Sequence, residues 1–137
     1  MAYWLVKSEP GEWSWEDQRA CGKAGEMWDG VRNHQAANNL KAMRKGDRAF
    51  FYHSGKERQI VGVVEVIGEH RPDPTDPSGR FVVVDVRAGE TFPHPVSLKD
   101  IKADPRLSDM ALVRQSRLSV MPVSQTHWQR ICAMGGT

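Results

Sequence analysis

The stretch IVGVVEV at residues 60–66 constrains the fold of this chain more than any other. A continuous β-branched run of this length has no polar face to offer water, so it reads as a central strand buried on both faces. A second such strand, carrying FVVVDV, is expected at 80–87. Between them RPDPTDPSG, with three prolines, predicts an exposed loop over 71–79. Further strands are expected at 3–8, 48–53 and 117–123. Residues 91–96 contain Pro93 and Pro95 and fit only an edge or irregular strand. Short helices fall between these runs. One spans 15–21, opened by Ser14 and Asp17 in the S-x-x-D spacing and closed by Gly22. Another spans 34–43, with Ala37, Leu40 and Met43 on one face and Gly46 beyond its end. A third opens at Ser97, a helical turn is expected over 107–112, and a terminal helix over 126–134 places Trp128, Ile131 and Cys132 on one face. Regular βαβ alternation is missing, which argues against a doubly wound sheet. The pattern predicts an α+β domain: a small, bent, mixed β-barrel of five to six strands with short peripheral helices.

A chain of 137 residues forms one domain and buries a core without staples. Its longest apolar stretches fall far short of the ~20 residues a membrane span needs. The N-terminus, with a four-residue apolar stretch at 3–6 and no basic lead, is not a signal peptide, and a cytoplasmic monomer is expected. The two cysteines, Cys21 and Cys132, lie far apart and outside any metal-ligand spacing, so reduced thiols are expected and a zinc site is not. The carboxylates are scattered, with no pair at metal spacing, and no cofactor is implied. A net charge of +2 is too small to announce a nucleic-acid binder by bulk charge. A nucleic-acid partner would have to be held by a pocket.

Two segments carry the side chains for such a pocket: WDGVRNHQAANN at 28–39 and FFYHSG at 50–55. Planar rings beside directional hydrogen-bonding groups suit a flat heterocycle such as a nucleobase. They suit phosphoryl transfer or hydrolysis poorly, since those need metals, paired acids or an activated nucleophile. Each candidate also has a plainer reading. Trp28 is a stacking plate or a plug over a barrel end. Trp4 and Trp13 are the next candidates to line a pocket, and otherwise belong to core or lid. Arg32 pairs with a carboxylate of the fold or meets a phosphate. Asn33 fits the N-cap of the following helix. Asn38 and Asn39 lie inside that helix, where at least one should make a tertiary hydrogen bond. Tyr52 and His53 form a pocket wall or a hydrogen-bonded strand exit. Lys7 and Ser8 end the first strand, placed to meet a phosphate and a base edge or simply solvated. Arg114 and Arg117, flanking Gln115 and Ser116, either meet a backbone phosphate or form a solvated face.

Taken together and in order, YWLVKSEP at 3–10, WDGVRNHQAANNL at 28–40, GDRAFFYHSG at 46–55, IVGVVEV at 60–66, PDPTDP at 72–77 and DMALVRQSRLSVMPV at 109–123 resemble an EVE domain. EVE domains lie in the PUA-like superfamily, with PUA, ASCH and YTH domains. The resemblance covers nearly the whole chain; the WSW at 13–15 is richer in Trp than the family pattern. It implies a pseudo-barrel with a ligand pocket and a non-catalytic module recognising a modified base in DNA or RNA. Matched by motif, the implied ligand-binding residues are Lys7, Ser8 and Glu9, then Trp28, Gly30, Val31, Arg32 and Asn33, then Tyr52, His53 and Ser54. Two alternatives stand beside this reading. One is an ASCH-like hydrolase of a modified nucleoside or RNA, with Lys7 and Glu9 imitating a Lys and Glu pair near the barrel mouth. The other is a small-molecule pocket without nucleic acid.

Overall fold

Burial on both faces is what organises the molecule, and β3 (Arg48–His53) shows how it is achieved. Ala49 through His53 are all buried, although successive side chains of a strand point to opposite faces. Phe50 stacks on Trp128 at 3.8 Å, and Trp128 stacks in turn on Tyr3. On the other face Phe51 meets Trp15 at 5.2 Å and Trp28 at 5.5 Å, both edge to face. Two aromatic layers therefore sandwich the sheet, and the layer of Phe51 is the one that reaches the loop at 28–33.

The computed structural model describes residues 1–137. Six strands form one mixed sheet in the order β2-β5-β4-β3-β1-β6. They are β1 (Tyr3–Ser8), β2 (Glu26–Met27), β3, β4 (Gln59–Pro72), β5 (Val82–Ser97) and β6 (Val120–Val123). Only β1 and β3 are parallel; the other neighbours are antiparallel. A parallel pair needs a long crossover. Here that crossover contains α1 (Trp15–Ala20), β2 and α2 (His34–Ala42), and with them the 28–33 segment. The helices α3 (Leu98–Ala103), α4 (Ala111–Arg114) and α5 (Gln125–Gly135) follow the β4–β5 hairpin. None of the helices is long and apolar enough to cross a membrane.

The α+β class and the six strands agree with expectation, but the barrel is not closed. Its end strands, β2 and β6, do not pair with each other. They are two and four residues long, too short to carry a ladder across the gap. Instead α2 packs against both β5 and β6 and fills the seam. Asn39 donates from its amide to the Val120 carbonyl at 2.7 Å and ties the helix to β6, while Asn38 stays exposed.

The two strands expected at 80–87 and 91–96 are one, β5. Its prolines are tolerated because residues 92–95 fall between the paired positions Ile60↔Val96 and Gly62↔Thr91. They form a bulge in which no ladder N–H is required. The 71–79 loop shrinks likewise: β4 runs through Pro72, and Asp73 beyond it is buried. The strand expected at 117–123 starts only at Val120, and the turn expected at 107–112 is a 3-10 turn at Pro105–Leu107 followed by α4. The S-x-x-D spacing at Ser14 forms a complete capping box.

Gly62 marks a close approach of an indole to the sheet. A Cβ placed there would lie 2.4 Å from the Trp15 indole, which occupies the missing side chain's space. Gly62→Ala is therefore expected to lower unfolding free energy in urea by about 1–3 kcal/mol, the usual cost of overpacking. An unchanged denaturation midpoint would show that Trp15 shifts freely.

Candidate functional site

Where β1 ends, the chain turns away from the sheet and leaves a cavity of about 540 Å³. That lies within the range of small-ligand sites. Lys7, Ser8 and Glu9 form one wall, and every residue from 28 to 33 contributes to the opposite one. Glu12 and Trp13 come from the turn after β1, Glu26 and Met27 from β2, and Ser119 from the approach to β6.

The far wall is shaped by a carboxylate. Asp73, whose side chain is wholly buried, accepts from the Gly30 backbone N–H at 2.9 Å and from Arg32 Nη1 at 2.9 Å. It also accepts from the Thr75 backbone N–H at 2.7 Å and hydroxyl at 2.6 Å. Arg32 Nη2 donates to Thr75 Oγ1 at 2.8 Å, and its guanidinium lies 5.5 Å from the Phe81 ring centroid. Of the two sequence readings of Arg32, the structure shows the internal pair. Gly30 has φ +77, a left-handed conformation that L side chains seldom adopt, and this lets its N–H face Asp73. Burial by itself would raise the Asp73 pKa, but the bonds from Thr75, Arg32 and Gly30 outweigh it and hold the carboxyl well below the usual range.

Trp28 combines its two sequence readings. It is 7% exposed, belongs to the core and lines the cavity. Its backbone N–H donates to the Val84 carbonyl at 2.7 Å. The indole N–H groups of Trp4, Trp13 and Trp15 donate to Asp47, Gln18 and Thr91. That of Trp28 has no protein acceptor, yet no buried side-chain polar atom is left unpartnered. It therefore reaches solvent, and the residue it belongs to lines the cavity. Asn33 caps α2 by accepting from the Ala36 N–H at 2.9 Å through its carbonyl, which leaves its amide donors unused. Ser8 donates to the Trp13 carbonyl, fixing the turn that carries Trp13. Lys7 donates to the Ser116 carbonyl at 2.8 Å and lies 5.7 Å from the Tyr52 ring centroid; partial burial lowers its pKa.

Eight of the eleven residues singled out in the sequence thus surround one cavity, and Tyr52, His53 and Ser54 stand outside it. Tyr52 is buried behind Lys7. His53 is buried too: Nε2 accepts from the Trp15 backbone N–H at 3.0 Å, so the ring proton sits on Nδ1 and is donated to Glu57 at 2.9 Å. The Ser54 backbone N–H donates to the Ser8 carbonyl. This segment braces the site from behind. Trp4, also considered, is core: its N–H meets buried Asp47. Glu12, Glu26, Met27 and Ser119 carried no signal in the sequence, because they come from turns and short strands whose position depends on the rest of the fold.

The cavity's charge is unexpected. Glu9, Glu12, Glu26 and Asp29 line it and are exposed, against Lys7 and an Arg32 already paired with Asp73. Such a rim accepts hydrogen bonds and repels phosphate. It suits a ligand edge that donates N–H groups, as an exocyclic amine does.

The open mixed sheet with a ring-lined cavity at the end of β1 agrees with the PUA-like fold that the resemblance implies. The family model of the EVE domain matches residues 2–134, and the chain belongs to that family. Mouse thymocyte nuclear protein 1 is 35% identical over 98% of this chain and 74% of its own length. A Rhodopseudomonas palustris protein solved by NMR is 57% identical with a TM-score of 0.94, covering 99% of this chain and 94% of that one. Human THYN1 protein, solved in complex with DNA containing 5-methylcytosine, is 31% identical with a TM-score of 0.93, covering 100% and 99% of the two chains. An ASCH protein of Zymomonas mobilis shares the fold at 8% identity and a TM-score of 0.62, covering 97% of this chain and 98% of that one.

Because Asp73 is held deprotonated, its contribution is complete above the ordinary carboxylate pKa of about 3.9 and is lost as pH falls from there toward its lower folded value. Asp73→Asn should cost about 1–3 kcal/mol at pH 7, the penalty for weakening bonds to buried donors. Urea titrations across pH should show wild type and variant converging below about pH 4. A gap independent of pH would assign the loss to packing instead.

Proposed function

We propose that this protein is a non-catalytic reader that takes one modified base of a nucleic acid into the cavity between β1 and the 28–33 loop. The observation that carries this reading is the cavity itself. It has two tryptophans in its walls, unused donors on Trp28 and Asn33, and exposed carboxylates at its rim that no cation pairs with. It belongs to a chain similar along its whole length to a protein solved with DNA containing 5-methylcytosine. The base leaves its stack and lies against Trp13 or Trp28, an interaction worth about 1–3 kcal/mol. The rim carboxylates accept from its amino group, and the donors of Trp28 and Asn33 meet its acceptors. A methyl group buried against the apolar wall adds about 0.8 kcal/mol. Two unpaired thiols fit a reducing compartment.

One observation favours a hydrolase as the second reading: Lys7 and Glu9 both line the cavity. Lys7 is nevertheless occupied with the Ser116 carbonyl, and the likeness to the ASCH protein extends to the fold alone. Release of free acid from an N-acylated nucleoside, abolished in Lys7→Ala, would favour it.

The test is a calorimetric titration with short DNA duplexes that differ by one 5-methylcytosine. The methylated duplex should bind about fourfold more tightly, the equivalent of one buried methyl group. Trp13→Ala should weaken binding by roughly 5- to 150-fold, matching the removal of one stacking ring. Equal affinity for both duplexes, or no binding, would end this reading for cytosine methylation. Trp28→Ala should instead lower the unfolding midpoint strongly, by about 3–5 kcal/mol of stability, since this ring is also core.

A further inference from the structure

A base cannot enter the cavity without its backbone, and the acidic rim gives a phosphate nowhere to rest there. Immediately beside it, sharing Asn33 with it, lies a shallower groove of about 380 Å³. Its other side is the end of α4 and the segment that follows it toward β6, with Arg114, Gln115, Ser116 and Arg117 all exposed. Arg114 and Arg117 take part in none of the ion pairs that engage the arginines at positions 19, 32, 44, 71, 87, 106 and 130. The Lys7 ammonium reaches into the same segment, bonded to the Ser116 carbonyl, so the cavity's one cation without a carboxylate partner lies on this side. Across the groove Asn33 and Gln35 begin the nine-residue helix α2, whose first backbone N–H groups favour the same sign of ligand.

We propose that this groove is a backbone-phosphate subsite, in which Arg114 and Arg117 hold the nucleic-acid strand on one side of the base in the cavity. The assignment rests on the reader function proposed above. The two sites divide the ligand by charge. Carboxylates face the base, which donates hydrogen bonds, while unpaired guanidiniums face the phosphates, which only accept. The strand therefore leaves the cavity past Asn33 toward α4 and away from Glu12 and Glu26. Phosphate contacts of this kind set register and contribute affinity without reading sequence.

The experiment compares wild type, the double variant Arg114→Gln with Arg117→Gln, and a control, Arg58→Gln, whose arginine is exposed and outside both sites. Each is titrated by fluorescence anisotropy against a labelled duplex carrying one 5-methylcytosine, over a range of salt. Thermal unfolding confirms that each variant is folded. The double variant should lose affinity, and its log–log salt slope should become shallower by roughly 0.9 for each phosphate no longer neutralised, while the preference for the methylated over the unmodified duplex is retained. The control should match wild type. A double variant with an unchanged salt slope, or one that loses base preference together with affinity, overturns the phosphate subsite while the reader function stands. A wild type that binds both duplexes equally and with a steep salt slope overturns the reader function. If that slope still flattens in the double variant, the groove is an anion site independent of any base; if it does not, both proposals fall.

Discussion

The two-sided burial of β3 is the constraint from which the rest of the molecule follows. A strand with Phe50 and Phe51 in sequence must have apolar cover above and below it. One cover is α5, delivered by Trp128. The other comes from the crossover between the parallel strands β1 and β3, delivered by Trp15 and Trp28. The crossover cannot lie elsewhere without exposing Phe51. In covering that ring it brings the 28–33 loop against the end of β1, and the cavity is the space left between them. The site is thus a by-product of core packing, which is why Trp28 serves both.

Holding that loop to a shape falls to Asp73. One buried carboxylate gathers donors from Gly30, Arg32 and Thr75, joining the tip of the β4–β5 hairpin to the cavity wall. Its charge also neutralises Arg32. The consequence for recognition is a separation of sign. The carboxylates of the cavity rim have no cation partner, and the neighbouring groove carries the unpaired Arg114 and Arg117 at the end of α4 and just beyond it. A ligand with a donor-rich heterocycle and a polyanionic backbone matches that separation, whereas a free phosphate compound does not.

Much of this was legible beforehand. The β-branched runs of β4 and β5 announced buried strands, and the caps at Ser14, Asn33 and Ser97 announced helix starts, because these signals are local. The misses share one cause. Asp73 sits in a proline-rich stretch that reads as exposed, and only the approach of Gly30 and Arg32 from distant positions in the chain makes its burial favourable. Pro93 and Pro95 read as an edge or irregular strand, and the irregularity is a bulge opposite β4 that removes the need for their missing N–H groups; what stayed hidden is that this stretch continues β5. His53 and Tyr52 have the chemistry of a pocket wall, yet His53 takes up the Trp15 backbone N–H and the Lys7 ammonium lies over the Tyr52 ring.

From the order of residues alone came the element types, the two signature segments and most of the cavity's lining, since propensity, capping and a family pattern act over short spans. The tertiary structure decided three further points. The sheet stays open, because α2 occupies the seam that two short edge strands cannot bridge. Arg32 is spoken for, because a carboxylate from the distant hairpin reaches it first. The cavity rim is acidic and the neighbouring groove basic, because Glu9, Glu12 and Glu26 meet on one side and Arg114 and Arg117 on the other only once the chain has folded. Charge, unlike strand or helix, has no local signature: its effect depends on which groups become neighbours.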